Sequence, residues 1–450
     1  MEETLQEKRA KKVVTTLREA GHQAFFAGGA VRDRLLGTPP QDVDVATSAT
    51  PDQVVRLFPK TVPVGVTFGV ILVLVDGDPI EVATFRSEGG YFDGRHPSQV
   101  TFSSAEEDVK RRDFTINGLL YDPLKKEVLD YVGGRQDLQQ GVLRAIGDPR
   151  QHFGEDRLRM WRAVRFASRL GFQIHPDTWE ALVELGATTA QVSAERVREE
   201  LLKILTGPRA AKGVGALYET GMLQVWLPEV VALRGVPQPK MHHPEGDVWA
   251  HTIRCLQALE RLSEKGPPPS EALALAALLH DVGKAETTIL DDTGRPRAPA
   301  HAAHGAALVA EVAKRLRLST ALKKRVVALV EDHGKPLHAR EMRRSKLIRL
   351  LRAEHFQELL ALHRIDRLGG SGDLSTYEFL REAFDSLRHQ ELHPPPLLKG
   401  RDLVEMGYTP GPSFGQALEA LEEAQLEKSV STVEEAKRLV EEILGAPPHP

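Results

Sequence analysis

The chain is predicted to be α+β, with a strand-bearing head over residues 1–145 followed by helices to its end. Short apolar runs at 23–27, 43–46, 69–75 and 80–84, separated by glycine or proline turns, read as strands. From about residue 150 the apolar spacing takes the helical period and keeps it. Ten of the 17 histidines fall between His242 and His363, so that stretch of helix has a chemistry of its own. At 450 residues the chain is too long for one ordinary core.

The elements follow in order. Residues 5–21 read as a helix that leads into the first strand. The head ends near residue 145, and a helical neck and body occupy 146–235, including an amphipathic helix with i,i+4 ion pairs at 193–209. Pro228 and the closely spaced prolines of 234–240 cannot continue a helix, which marks the next boundary. A histidine-rich helical domain then spans 236–392, and His393-Pro394-Pro395-Pro396-Leu397 links it to a C-terminal helical module over 393–450.

Composition narrows the classes. The formal charge is −4, so nucleic-acid binding needs local patches rather than a global basic field. The single cysteine, Cys255, excludes intramolecular disulfides and cysteine-rich metal knuckles, and fits a reducing compartment. The charged N-terminus and the lack of any run of 18 apolar residues predict a cytoplasmic protein without a membrane partner.

Four motifs carry chemistry in the first 166 residues. Gly28-Gly29 lets backbone approach phosphate oxygens at a helix start, and Arg32 supplies a permanent cation beside it. In Asp42-Val43-Asp44 alternate side chains of an extended run share a face, so two carboxylates are placed to hold Mg²⁺ against a triphosphate. Lys110, Arg111 and Arg112 then precede Asp113, Thr115 and Asn117. The arginines suit a polyphosphate, while the Asp, Thr and Asn either lock the loop or meet a ribose hydroxyl. Asp156, Arg159, Arg162 and Arg165 recur at steps of three, each drifting about 60° on a helix, so the first three share a side and Arg165 turns away. An aspartate and an arginine held rigidly offer acceptor and donor edges to a base, although a salt-bridged surface helix accounts for the same letters.

Taken in this order over residues 28–166, the motifs resemble the class II tRNA nucleotidyltransferases, the CCA-adding enzymes, and the bacterial poly(A) polymerases related to them. The resemblance implies a mixed-sheet nucleotidyltransferase head and two-metal transfer of a nucleotide to a tRNA 3′-hydroxyl from CTP and ATP. It implies Asp42 and Asp44 as catalytic Mg²⁺ ligands, with Glu81 as an additional carboxylate. Gly28, Gly29, Arg32 and Arg112, or the neighbouring Arg111, would hold the triphosphate, with Asp113 and Asn117 also counted among the nucleotide-binding residues. Asp156 and Arg159 would read the base edge, with further contacts from Arg162 and Arg165. The connection Ser87 to Pro97 resembles the loop needed to add the final A, which enzymes adding only C have shortened. Val64 to Val70 stands where the poly(A) polymerases carry a basic run. Full CCA addition is therefore expected, with an A-adding enzyme or poly(A) polymerase as the alternative.

His251, His280-Asp281, His304, His333 and Asp366 follow at intervals near 30 residues. The adjacent His-Asp ahead of Val-Gly-Lys resembles the HD superfamily of metal-dependent phosphohydrolases. That likeness implies His251, His280, Asp281 and Asp366 as the basic ligand set, with His304 and His333 serving a second metal. Such nitrogen and oxygen donors suit Mn²⁺, Mg²⁺, Ni²⁺ or Fe. A 2′,3′-cyclic phosphodiesterase or phosphatase is implied as a second activity, with a tRNA-binding scaffold, or an HD phosphohydrolase whose head only binds RNA, as the other readings. The six basic residues between Arg340 and Arg352 are placed to track a phosphate backbone, or to form a solvated helix face.

Overall fold

The computed structural model describes residues 3–65, 69–91, 97–239, 246–264, 266–387 and 392–446. The chain divides into two compact units, residues 1–231 with 315–317, and residues 232–314 with 318–450. The two runs bearing on nucleotide choice, Val64–Val70 and Ser87–Pro97, lie partly outside the described residues, at 66–68 and 92–96.

In the first unit, the helix Leu5–Glu19 starts at Thr4, whose hydroxyl accepts from the Glu7 amide while the Glu7 carboxylate accepts from the Thr4 amide. It buries Ala10, Val13, Val14 and Leu17. Seven strands then form one sheet in the order β3-β4-β5-β2-β1-β8-β9: β1 Ala24–Ala27, β2 Asp44–Thr47, β3 Thr61–Gly65, β4 Val70–Val75, β5 Asp78–Thr84, β8 Leu119–Asp122 and β9 Glu127–Asp130. The strands β6 Arg86–Tyr91 and β7 Pro97–Phe102 pair with each other apart from it. The β2–β5 pair is parallel and the other pairs are antiparallel, so the sheet is mixed as expected.

Register gathers the motifs at one end of this sheet. Ala27, the last residue of β1, pairs with Asp44, the first of β2, and with Leu120 of β8. Gly28-Gly29, Asp42–Asp44 and the turn Thr115–Asn117 before β8 therefore meet. Val45 pairs with Val82, which sets Glu81 of β5 level with Asp44. The four apolar runs are strands; β3, β8 and β9 are additional to them. β3 carries Pro63, which a sheet tolerates only at an edge, and β3 is the edge strand.

The rest of the unit is helical. The helix Leu158–Leu170 packs on Ala194–Leu205 and Ala210–Glu219, and a Cβ at Gly213 would stand 2.4 Å from the Ile204 side chain, so only glycine allows the last two to approach this closely.

The second unit is built around Glu271–Leu279, an all-apolar helix after its first residue. Its interior is buried against Val248–Ser263, Thr320–Asp332 and Phe356–Gly369. The C-terminal helices Gly400–Glu405, Pro412–Leu426 and Val433–Leu444 close over Leu403, Leu421 and Val440. The basic 340–352 run is tied in part to this C-terminal module. Arg349 and Arg352 both pair with Glu422, and the Ser345 amide donates to Glu427. These groups hold the C-terminal module in place. No helix among the described residues is long and apolar enough to cross a membrane.

The fold makes Gly134 an exacting position. A Cβ on Gly134 would lie 2.1 Å from the Thr115 carbonyl oxygen, inside the turn that carries Asn117. Gly134→Ala is expected to destabilise the first unit by about 1–3 kcal/mol through overpacking. Urea unfolding measures this, and an unchanged midpoint would contradict the close approach.

Candidate functional site

A cavity of about 460 Å³ opens at the gathered end of the sheet, between it and the helix Leu158–Leu170. Gly28, Gly29, Arg32, Asp44, Arg111, Arg112, Asp113, Asn117, Asp156, Arg159, Arg162 and Arg165 all line it, together with Arg169, Arg196 and Phe166. Eight arginines thus face three aspartates across its wall, a balance that favours an anion.

Gly28 has φ +67°, a backbone conformation that side chains disfavour, and a Cβ there would meet the Arg112 guanidinium at 3.3 Å. The glycine pair thereby lets backbone and cations share one wall. Asp44 opens to the cleft but is crowded by protein on its other sides. This desolvation, with the carboxylates of Glu81 and Asp42, pushes its carboxyl up to about 6, against the pull of Arg112. Three carboxylates that repel one another at a strand end form a donor set suited to a hard divalent cation.

The arginines are held from behind. Asp108 is buried in the helix Ala105–Lys110, and its two oxygens take Arg111 at 2.6 Å and Arg112 at 3.0 Å. Asp113 accepts from the Phe114 amide at 2.9 Å and Asn117 at 3.1 Å on one oxygen, and from Arg162 at 2.7 Å on the other. Of the two roles open to it in sequence, the geometry gives it the locking of the loop. Asn117 passes the constraint on by accepting from the buried Arg32 at 2.7 Å. Phe166 lies under three guanidiniums, with Arg165, Arg32 and Arg162 at 4.0, 5.2 and 5.4 Å from its ring centre.

Two readings of the Asp156–Arg165 segment change. Asp156 sits in extended backbone (φ −139°, ψ 105°) ahead of the helix, so helical stepping does not place it. Its carboxylate is fixed by Arg196, with contacts of 2.7 and 3.2 Å, and by the Leu158 amide at 3.0 Å. Arg165 also lines the cavity although it pairs with Glu200, because a long side chain offsets the rotation. Arg159 donates to the His152 and Arg111 carbonyl oxygens and to Glu155, at 2.8–3.0 Å. Arg196, 40 residues beyond its partner, carried no local signal in the sequence.

In the second unit, His251, His280, Asp281, His333 and Asp366 converge, all but Asp366 buried. His251 Nε2 lies 3.0 Å from Asp366, and Asp281 reaches toward both His280 at 3.3 Å and His333 at 3.6 Å. Burial opposes charge on both aspartates, yet their partners outweigh it. Lys284 and His280 hold Asp281, and His251 holds Asp366, well below the usual carboxylate range. His304 is a correction. It turns outward to Glu286 at 2.7 Å, and His301, one turn earlier, stands against His333 at 3.2 Å and Asp281 at 3.6 Å. A Cβ on Gly283 would fall 2.1 Å from the His301 carbonyl oxygen, so the glycine of the His-Asp turn admits the start of this helix.

The arginine pairs predict an acid response. Asp108 is held below its ordinary 3.8 because Arg112 and Arg111 outweigh its burial. A depressed carboxyl stabilises the fold above its unfolded value and loses that contribution as pH falls through the folded value. Asp108→Asn should cost about 1.5–3 kcal/mol at neutral pH, and should lose less further stability than the parent below pH about 4. Urea midpoints at pH 7 and in mild acid test it; parallel curves for the two proteins would refute the assignment.

Residues 24–144 match the Poly A polymerase head domain, residues 171–233 the probable RNA and SrmB-binding site of polymerase A, and residues 248–369 the HD domain. Among curated relatives, the CCA-adding enzyme of Geobacillus stearothermophilus is 46% identical over 217 residues, covering 48% of this chain and 53% of that one. That of Bacillus subtilis (strain 168) is 48% identical over 217 residues, covering 48% and 54%. The chain spans about half the length of these relatives. The crystal structure of the Bacillus stearothermophilus CCA-adding enzyme in complex with CTP covers 98% of both chains, with TM-score 0.75 and 29% identity. The Thermotoga maritima CCA-adding enzyme complexed with tRNA shares the fold, at TM-score 0.61 and 21% identity over 97% and 94% of the two chains.

Proposed function

We propose that this chain, with its Poly A polymerase head, RNA-binding segment and HD domain in that order, adds CCA to the 3′ end of tRNA from CTP and ATP. One observation carries the reading: an arginine-walled cavity lined by the Asp44 carboxylate and also by Asp156 and Arg159. Likeness over nearly the whole length to an enzyme solved with CTP supports it.

Asp42 and Asp44, with Glu81 beside them, would hold Mg²⁺, which when bound supplies charge neutralisation at the attacking and leaving oxygens. The protein's own groups do the positioning. Arg32 and Arg112 meet the phosphates over the Gly28-Gly29 backbone, with Arg111 backing them. Asp156 and Arg159 present fixed acceptor and donor atoms to the base edge, replacing a template strand. Asp113 and Asn117 keep the phosphate and base halves in register.

Supplying CTP and ATP separately to tRNAs lacking their last three, two or one nucleotides tests this. CTP should extend the first two and ATP only the last. ATP use on the one-short tRNA with no CTP use on the others would replace CCA addition with A addition. Asp42→Ala and Asp44→Ala should each lower transfer by roughly 10³-fold or more, since several kcal/mol of charge stabilisation is removed; transfer that persisted in either would overturn the carboxylate assignment.

We also infer a metal-dependent phosphohydrolase in the second unit, acting on a 2′,3′-cyclic phosphate. It is supported by the convergence of His251, His280, Asp281, His333 and Asp366, with His301 in place of His304. The donors present fit a divalent cation. In Asp281→Ala this hydrolysis should vanish while nucleotide addition continues. Cyclic-phosphate turnover equal to the parent's would leave the domain a scaffold.

A further inference from the structure

The buried histidine-aspartate site contains one donor outside the nitrogen and oxygen set: Cys255. It lies one helical turn after His251 in Val248–Ser263, so both side chains face the same way. Its Sγ is 3.4 Å from His251 Nε2, which in turn is 3.0 Å from Asp366 Oδ1. His280 Nε2 completes the group, 4.0 Å from Asp366. One donor atom from each of the four residues lies within 4.8 Å of the others. Tetrahedral bonds of about 2.0–2.3 Å would set donors roughly 3.3–3.8 Å apart, close to these spacings.

A second observation points to a ligand independently of the thiol. His280 is 1% exposed, and its Nε2 makes no well-directed hydrogen bond among the described residues, although the Asp281 carboxylate stands 3.3 Å away. A buried ring nitrogen left so is costly unless something else engages it. The approach of the carboxylate-bearing helix is specific too. A Cβ on Gly369, one turn beyond Asp366, would strike Cys255 Sγ at 2.5 Å, so glycine lets Phe356–Gly369 close on the cysteine.

We propose that Cys255 is a thiolate ligand of a divalent metal ion held with His251, His280 and Asp366. On binding, the S–H bond breaks as the sulfur–metal bond forms, and the proton leaves to solvent. A sulfur donor turns the preference from Mg²⁺ or Mn²⁺ toward Zn²⁺, Co²⁺ or Fe²⁺. The proposal rests on the reading of this domain as a metal site.

Cobalt separates the two claims, because the chain has a single cysteine and any sulfur-to-cobalt charge-transfer band reports on Cys255 alone. Full-length protein stripped of metal and titrated with Co²⁺ without oxygen should develop that near-ultraviolet band together with visible ligand-field bands. Cys255→Ser should lose the charge-transfer band and keep cobalt on the remaining donors. Stoichiometric Zn²⁺ should bleach the parent spectrum, and roughly a thousandfold excess of Mg²⁺ should leave it unchanged. Ligand-field bands that disappear in His280→Ala but come without any sulfur band in the parent would overturn thiolate ligation while leaving the metal site intact. No cobalt binding that depends on His280 would end both. The parent spectrum decides even where a variant fails to fold.

Discussion

The buried carboxylate of Asp113 is the constraint on which the first unit's chemistry depends. It belongs to the turn ahead of β8, yet it takes the guanidinium of Arg162 from a helix that begins 45 residues later and, through Asn117, the guanidinium of Arg32 from the first glycine turn. A buried charge is tolerable only when its hydrogen bonds are complete. Arg162 and Asn117 complete them, and they hold the carboxyl below its ordinary range against the effect of burial. Three stretches distant in sequence thus have one geometry in which no member is left unsatisfied, and that geometry encloses the cavity.

The same arrangement accounts for the readiness of the site. Arg111 and Arg112 lean on Asp108, Arg159 on Glu155, Arg165 on Glu200 and Arg196 on Asp156. A free arginine loses rotamer entropy when a ligand arrives, whereas these are ordered beforehand. A network that fixes them costs little at binding and keeps them on the cavity wall. The mixed sheet contributes by register alone, since pairing Ala27 with both Asp44 and Leu120 brings glycines, aspartates and the Asn117 turn together.

Much of this was legible in the sequence because local letters carried it. Short apolar runs marked the central strands, and spaced aspartates and arginines marked the cavity. Where several elements decide a position jointly, the letters were silent. The edge strand β3 carries a proline, and β8 and β9 are short segments held by their neighbours. Helical stepping misplaced Asp156, because the helix begins only after it. His301 and His304 share one helix, and the choice between them depends on how Gly283 admits that helix, which spacing alone does not encode. Cys255 was different. Its position four residues after His251 is plain in the sequence, but a lone cysteine there argued only against disulfides and cysteine-rich knuckles and for a reducing compartment.

Asp281 has one further consequence. One oxygen faces His301 and His333, each at 3.6 Å, while the other faces His280 at 3.3 Å and Lys284 at 2.7 Å. A single carboxylate therefore stands between two clusters of donors, and charge drawn by a cation on one side is felt on the other. The clusters are linked in the thermodynamic sense: whatever free energy the filling of one adds to or removes from the second, the second returns equally to the first. If each holds a cation, their occupancies would belong to one coupled equilibrium, whose stoichiometry and steepness are properties of the pair.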